Sequence, residues 1–524
     1  MAHVAALERQ VKTLQRENQQ LRTQAATVEQ LRTEKIELAN KLELAHEEIA
    51  ELRRRFFARA SEKLSSYELL QMRLFDEAEQ ALDQSELAPQ EPTVQVPAHE
   101  RVKAVRRALP KELPREEVLV DIAEADKKCG CGHRLVRIGQ ESSEKLDVIP
   151  MRMQVIRTVR PKYACHHCEG SGDERRPAVR IAAPPPTMIP KGIATPGLLA
   201  YIVTSKFCEA LPLYRQEKQF ARIEVELSRR TMADWMIASA AACTPLREEL
   251  ERRLRSGPVL QVDETTVKVM REPERANTTL SYMWVARGGP PDQPVLRYYY
   301  QPTRGTPAAE RVIEEYEGYL QTDGYEVYDK VCALRKDVVH VGCWAHARRK
   351  FVDARTPAKK AGAPECALAM IATLYAAENL REQHPEQGEF VAARRAAITP
   401  VLATLHEWLQ RKREQVPPQS ALGKAVHYML VQWPKLLRYL DVAELTPDTN
   451  AVERAIRPFV LGRKNWLFSG SPRGAEASAT LFSIIETAKA NGREPYWYLR
   501  ELFEKLPLAQ TDADVEKLLP VRPQ

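Results

Sequence analysis

Apolar residues recur in a heptad rhythm from Val4 to about residue 55. One register puts Val4, Val11, Asn18 and Ala25 at a, with Leu7, Leu14, Leu21 and Val28 at d. A second runs through Leu31, Leu38, Ala45 and Leu52, with Lys35, Leu42 and Ile49 alternating. The join at Ala25–Val28–Leu31 takes two three-residue steps, a stammer that overwinds a supercoil locally. The pattern predicts a coiled-coil dimerisation helix over 1–83; the alternative is one amphipathic helix packed on the rest of the chain. Asn18 at an a position fits a parallel two-stranded coil, because a buried amide is satisfied best by its mate. RRRFFARASEKL at 53–64 either ends the rod or sets three arginines and two phenylalanines along a DNA backbone. The proline-bearing polar stretch at 84–114 reads as a linker.

Helical spacing returns over 181–255. LYRQEKQFARI reads as one helix, and a second opens at Ser228 as N-cap. This predicts a helix-turn-helix-like pair with Arg229, Arg230, Thr231 and Trp235 on its second helix, or else a plainly packed hairpin. Cys208 and Cys243 read as core. The period then shifts to that of strands: SGPVLQVDETTVKVM, SYMWVAR and PVLRYYYQP, the last two joined by GGPPDQP. A helix, TPAAERVIEEYEGYL, follows. YLQTDGYEVYD gives a short strand ending in Asp323–Gly324, and VVHVGCWAHARRKF gives a strand and a basic turn. Residues from about 352 to 445 read as mostly helical.

The chain has 524 residues, enough for three or four folding units. With 28% charged and 44% hydrophobic residues it is not a largely disordered chain. An apolar run of about 18 residues is missing, which argues against a spanning helix. The start, MAHVAALERQ, lacks a signal-peptide core, so a cytoplasmic location is the expectation. Lys plus Arg exceed Asp plus Glu by 78 to 71, a net +7 that permits a nucleic-acid partner without establishing one.

Of nine cysteines only four cluster, which in a cytosolic chain favours metal over disulfides. Cys129 and Cys131 lie in KKCGCGHRL, Cys165 and Cys168 in KYACHHCEG. The second pair has the C-x₂-C spacing that aims two thiolates at one ion; the first is one residue short. LDVIPMRMQVIRTVRPKYAC between them reads as two strands, so 115–180 is expected to be a zinc ribbon with structural Zn²⁺. Its metal would supply on the order of 10–16 kcal/mol of apparent binding energy to a module too small to fold well alone. His133, His166 and His167 are spare ligands for the tight pair, and four free thiols are the alternative.

Two carboxylates carry the remaining chemistry. Asp263 is expected mid-way along the first strand of the sheet, Asp323 at the end of the fourth, beside it. Adjacent carboxylates repel unless a divalent cation neutralises them, and Mg²⁺ prefers oxygen ligands. Glu453, in PDTNAVERAIRPFVLGRKNWLF, is the candidate third acid for a two-metal site. A helix there puts Asn450, Glu453 and Arg457 on one face. Glu264 replaces Asp263 if the strand faces the other way. Three antiparallel strands, then helix, strand, helix or turn, strand, is the order of an RNase H-like domain.

The blocks FFARASEKL, KYACHHC, LPLYRQEKQFARIEVELSRRTMADW, LQVDETT, LQTDGYEVY and NAVERAIRPFVLGRKNWLFSGSPRGAEASATLFSIIETAKANGREPYWYL closely resemble the transposase of the insertion sequence 66 family, bacterial elements with a DDE catalytic domain. The resemblance spans nearly the whole chain. It implies a multidomain α+β protein: coiled coil, zinc ribbon, helix-turn-helix-like segment, and an RNase H-like α/β catalytic domain with a helical insertion. The core would run over 256–351, the insertion over 352–445, the last core helix over 446–490 and a tail over 491–524.

Asp263, Asp323 and Glu453 are implied as the catalytic acids, holding two Mg²⁺ or Mn²⁺ ions for cleavage at the element's ends and joining of the 3′-hydroxyl to target DNA. Implied partners are DNA, a homodimer or higher oligomer, and two small accessory proteins, with no membrane, in the bacterial cytoplasm at the nucleoid. Arg348, Arg349, Lys350, Arg454, Arg457, Arg463 and Lys464, with Arg229 and Arg230, would contact DNA, or else form solvated basic faces. Trp466 reads as core or as a base-stacking residue. Cys343-Trp344-Ala345-His346 resembles a C-x₂-H motif placed between the second and third acids in several DDE families; it is read as a buried thiol and a surface histidine, not a zinc site. The C-x-C at 129–131 departs from the family's C-x₂-C and leaves the zinc ligands open. Other readings are a non-catalytic DNA-binding protein derived from a transposase, and a nuclease without strand transfer.

Overall fold

A computed structural model describes Gln19 and residues 153–164, 179–355 and 362–521. The coiled-coil and linker expectations and Cys129, Cys131, Cys165 and Cys168 lie outside the described residues, apart from the helical Gln19. The chain divides into two units, 87–185 and a larger one of 1–86 with 186–524.

In the first unit, β1 (Lys162–Ala164) pairs antiparallel with β2 (Val179–Ile181), with Tyr163 opposite Arg180. Residues 153–161 form no strand, so the strand expected through VIRTVRPKYA shortens to three residues. Pro161, immediately before it, has no N–H to give a ladder.

In the larger unit, four helices lead into the sheet: α1 (Pro196–Phe207), α2 (Leu213–Ala221), α3 (Arg229–Ala242) and α4 (Thr244–Arg255). Ser228 caps α3 as its sequence predicts, accepting from the Thr231 N–H at 3.1 Å. Met232, Trp235 and Met236 face inward, and Arg229 and Arg230 are exposed at the helix start. Cys243 is buried as expected, but Cys208 is exposed, because it ends α1 where the chain leaves the core.

The sheet contains β3 (Val259–Lys268), β4 (Leu280–Gly288), β5 (Val295–Gln301), β6 (Gly318–Gln321) and β7 (Val338–Val341), in the order β5-β4-β3-β6-β7. β3, β4 and β5 run antiparallel, whereas β6 joins β3, and β7 joins β6, in parallel. Near-continuous burial along β3 and β4 reflects cover on both faces. β5 is an edge strand, and α12 (Pro472–Ala490, numbered after the helices below) closes it. Ser483 accepts from the Tyr298 N–H at 2.8 Å, and Thr487 Oγ1 accepts from the Leu296 N–H at 3.0 Å and donates to its carbonyl at 3.1 Å. The edge backbone is thus spent on side chains of the chain itself.

Two elements differ from expectation. The helix read through TPAAERVIEEYEGYL is α5 (Thr306–Ile313), which stops where Glu314 takes a φ of 39°. Gly318 then opens β6 at a φ of 127°, a conformation side-chain-bearing residues rarely adopt. The basic turn at ARRKF is instead the body of α7 (Trp344–Asp353), which follows α6 (Glu326–Leu334) and β7. Trp344, Ala347 and Phe351 recur at helical spacing and are fully buried, so packing makes a helix of a basic segment.

They face α8 (Ala363–Ala376), α9 (Gln387–Gln415) and α10 (Ala421–Leu437), which share one apolar cluster including Ile371, Leu405, Met429 and Tyr439. Trp344 Nε1 donates to the Leu436 carbonyl at 3.0 Å, pinning α7 to α10. α11 (Asn450–Trp466) then crosses β3. Trp466, half-buried, packs edge-on to Phe207 with the Lys206 ammonium 4.1 Å from its ring centre, consistent with a packing role. Among the described residues no helix is long and apolar enough to cross a membrane.

Asp329 on α6 ties this unit together, meeting His340 Nδ1 of β7 at 2.9 Å and Lys435 Nζ of α10 at 2.8 Å. The His340 hydrogen bond, with Lys435 acting against partial desolvation, holds its carboxyl down at about 2. A folded-state value below the unfolded one adds stability above the unfolded value and loses it as pH falls through the folded one. Asp329→Asn is therefore expected to lower the urea midpoint at neutral pH, and the gap to wild type to close between about pH 4 and 2. A gap independent of pH over that window would contradict the assignment.

Candidate active site

β3 and β6 position the first two acids. Their parallel register pairs Leu260 with Leu320 and Gln261 with Gln321, an offset of 60 residues. Asp263 and Asp323 share that offset (323 − 263 = 60), each lying two residues past the last pair of that register. β6 ends at Gln321, two residues short of the strand end read from sequence. Asp263 Oδ1 accepts from the Glu264 N–H at 2.8 Å, and Asp323 Oδ1 from the Tyr325 N–H at 3.0 Å. These local bonds orient each carboxylate before any ligand arrives.

Glu453 enters from the first turn of α11 and is only 2% exposed. Thr449 Oγ1 donates to its Oε1 at 3.1 Å, while Oε2 is buried without a hydrogen-bond partner. Burial raises the Glu453 carboxyl, and His346, Thr449 and Arg349 draw it back. Asp263 is pushed well above the carboxylate range by desolvation, then by the negative charges of Glu264, Glu453 and Asp323. The charges that bear on Asp263 place Glu264, Glu453 and Asp323 in its electrostatic neighbourhood.

Glu264 is already taken up. Its Oε1 accepts from Arg304 Nε at 2.5 Å and Oε2 from the Tyr328 hydroxyl, on the opposite side of the strand alternation from Asp263. Burial followed by Asp323 raises its carboxyl, and Arg304 opposes them. Asp263 is thus the less buried of the two acids, and Glu264 is the one held by side chains of other elements.

Sequence reasoning missed the residues behind the acids. Gln261 Nε2 donates to Gln321 Oε1 at 2.8 Å and lies 3.3 Å from the Asp448 carbonyl. Gln321 Nε2 donates to the Thr446 carbonyl at 2.7 Å. The two glutamines thus fasten the strands carrying Asp263 and Asp323 to the loop that launches α11. The signal was present: Leu-Gln-x-Asp occurs at 260–263 and again at 320–323. A buried glutamine two residues before each acid is a repeated polar exception in an apolar strand.

Cys343 and His346 were also undervalued. Cys343 is buried as expected, but His346 is half-buried rather than on the surface, with Nδ1 3.8 Å from Glu453 Oε1. Desolvation lowers the His346 value, but the neighbouring Cys343 sulfur, then Glu453 and Asp323, outweigh it and bring the imidazole to about 10. The basic residues scatter. Arg229, Arg230, Lys350, Arg454 and Lys464 are exposed, Arg348 and Arg457 half-buried, and Arg349 and Arg463 buried. Arg463 donates to Thr265 Oγ1 at 3.2 Å and Thr266 Oγ1 at 2.9 Å, bracing α11 against β3.

Four family models match the chain. "Transposase IS66 family" covers 191–477 and spans Asp263, Asp323 and Glu453. "Zinc-finger binding domain of transposase IS66" covers 126–169, including all four clustered cysteines, and supports structural zinc. "IS66 C-terminal element" covers 483–521, and "Transposase C of IS166 homeodomain" covers 45–118. The chain is 35% identical to the uncharacterized protein y4jD of Sinorhizobium fredii over 428 residues, 79% of this chain and 81% of that one. With y4qI of the same organism it shares 32% over 416 residues, 77% and 75% of the two chains. With y4hP it shares 29% over 478 residues, 87% and 85%. The chain belongs to the IS66 family of transposases.

Proposed function

We propose that this transposase cuts the ends of its insertion sequence and joins the 3′-hydroxyl to target DNA, using Asp263, Asp323 and Glu453 as the catalytic acids. The observation that carries the reading is the shared register of two Leu-Gln-x-Asp strands, with the acid-bearing start of α11 tied to both by Gln261 and Gln321. The sheet order, three antiparallel strands followed by two parallel ones, supports an RNase H-like core. The helices from α8 to α10, between the second and third acids, support the insertion over 352–445.

The donor set fits hard divalent cations. Every acid offers oxygen, Glu453 Oε2 is buried without a hydrogen-bond partner, and the negative charges around Asp263 favour a cation there. Mg²⁺ or Mn²⁺ bound there supplies activation of an attacking oxygen and stabilisation of the leaving one in phosphodiester exchange. The chain's own part is orientation. The Glu264 and Tyr325 N–H groups aim the two aspartates, and Thr449 holds one oxygen of Glu453 while the other is left without a hydrogen-bond partner.

DNA is the partner that the family carries. In this reading Arg229, Arg230, Lys350, Arg454 and Lys464 meet phosphates, with the half-buried Arg348 and Arg457 beside them in the same role; Arg349 and Arg463 work from inside, one toward Glu453 and the other on β3. Cys129, Cys131, Cys165 and Cys168 hold structural zinc, and the N-terminal heptads pair two or more copies. Accessory proteins and a nucleoid location remain part of the same proposal.

The test is a supercoiled plasmid carrying the element's ends, incubated with protein and Mg²⁺. Nicked, linear and joined products are expected; unchanged plasmid under conditions where the protein binds it overturns the reading. Nicks without joined products would reduce it to a nuclease. Gln321→Leu is expected to slow nicking about 10–100-fold, the usual cost of removing a group that orients metal ligands, with little loss of DNA affinity. A rate within twofold of wild type would remove the glutamines from the positioning scheme.

A further inference from the structure

We propose a second metal site, built for a borderline ion of the Zn²⁺ class and formed by Cys343 Sγ, a ring nitrogen of His346 and a carboxylate oxygen of Glu453. The three residues each bring one ligand atom within 4.8 Å of the others. His346 Nδ1 and Glu453 Oε1 are 3.8 Å apart. Ligands held at about 2.0–2.3 Å from a tetrahedral ion stand roughly 3.3–3.7 Å from one another, so the His346–Glu453 pair is already near that spacing and the remaining pairs close from at most 4.8 Å.

The fold builds this group from two helix starts. Cys343 sits at the cap position of α7 and His346 one turn in, so thiol and imidazole project to the same side. Glu453 comes from the first turn of α11. Thr449 joins the two, its N–H lying 3.4 Å and its Oγ1 3.2 Å from the Cys343 sulfur. The N–H donor stabilises a thiolate ligand and fixes its direction, while the single hydroxyl proton is shared between that sulfur and Glu453 Oε1. Two ligand residues also carry buried polar atoms without a hydrogen-bond partner, His346 Nδ1 and Glu453 Oε2. An ion taking His346 Nδ1 as its ligand would satisfy that atom.

The chemistry differs from that of the acid cluster. Sulfur and imidazole select zinc-like ions, whereas Mg²⁺ prefers oxygen and water. The two sites share Glu453. An ion held by Cys343 and His346 therefore withdraws the third acid from the cleavage site and inhibits it. The binding half stands on this geometry alone; the inhibitory half rests on the proposed role of Glu453.

The test uses the full-length protein with the zinc of its finger module in place. Wild type, Cys343→Ser and His346→Gln are exposed to micromolar Zn²⁺, desalted and assayed for bound zinc, with thermal melting confirming that each is folded. Wild type is expected to retain one equivalent more than either variant. Co²⁺ loaded in place of Zn²⁺ should give extra sulfur-to-metal absorption in wild type over Cys343→Ser. Equal metal content and equal absorption in all three proteins overturn the site.

In the nicking assay, Zn²⁺ is expected to slow wild type at least tenfold and Cys343→Ser less than twofold, each against its own zinc-free rate. Equal inhibition of both overturns the regulatory half. A protein that never nicks DNA sinks the cleavage reading, while the zinc count still decides the site.

Discussion

Asp263→Asn is expected to lower Mg²⁺-dependent nicking by about a thousandfold or more, some 4 kcal/mol of transition-state stabilisation at about 1.4 kcal/mol per tenfold. The amide is nearly the same size as the carboxylate and can still accept from the Glu264 N–H, so the strand should keep its shape. What goes is a carboxylate on which burial and the negative charges of Glu264, Glu453 and Asp323 press. Two readouts then move in opposite directions. Cleavage collapses because the cations lose an anionic ligand. Thermal stability in metal-free buffer rises because repulsion in a poorly solvated cluster is relieved. Added Mg²⁺ should stabilise wild type more than the variant, since a ligand that binds only the folded state shifts unfolding by mass action. DNA affinity should be preserved. Cleavage at the wild-type rate would end the assignment of Asp263, and lower stability in metal-free buffer would show that the acids do not strain the fold.

The three acids stood out as candidates in the sequence because their chemistry is unusual in its setting. A carboxylate within an apolar strand, repeated after another strand-like run, has few structural uses. β3, β4, β5, β6 and β7 were visible from β-branched and aromatic runs bounded by Gly and Pro, and Ser228 from its capping chemistry. The missed features depend on contacts between distant parts of the chain. ARRKF reads as a charged turn until Trp344, Ala347 and Phe351 meet the helical block, which no local pattern supplies. His346 looks like a surface residue until α11 brings Glu453 alongside it. Gln261 and Gln321 appear to be interruptions of their strands until the 60-residue register makes them partners. Arg463 counts as one more positive charge in sequence, yet it is spent on β3.

The largest stability loss is expected from Arg394→Ala. Arg394 lies on α9, 0% exposed, with the Phe390 ring 4.8 Å from its guanidinium carbon. Nη1 donates to the Leu445 carbonyl at 2.9 Å, and Nη2 to those of Tyr439 at 2.7 Å and Val442 at 2.8 Å. Glu378 lies 3.4 Å away and balances the charge. Truncation would leave three inward-facing carbonyls and a half-buried carboxylate without this donor, at a cost of about 3–5 kcal/mol, the usual penalty for breaking a buried ion pair from one side. Arg394→Met separates the contributions: it refills most of the volume but donates nothing, so recovery of less than half the loss would assign the effect to hydrogen bonding rather than packing. Lysine should rescue poorly, because one ammonium cannot reproduce the planar fork that reaches three carbonyls. The consequence extends to the acids. The segment from Tyr439 to Leu445 runs directly into Thr446 and Asp448, whose carbonyls receive Gln321 and Gln261, and then into the start of α11. Loosening it should speed amide exchange across 439–448 and slow nicking in the same variant, even though Arg394 touches none of the three acids. A variant that loses stability but keeps both the exchange pattern and the cleavage rate would show that the helical block and the acid cluster are mechanically independent.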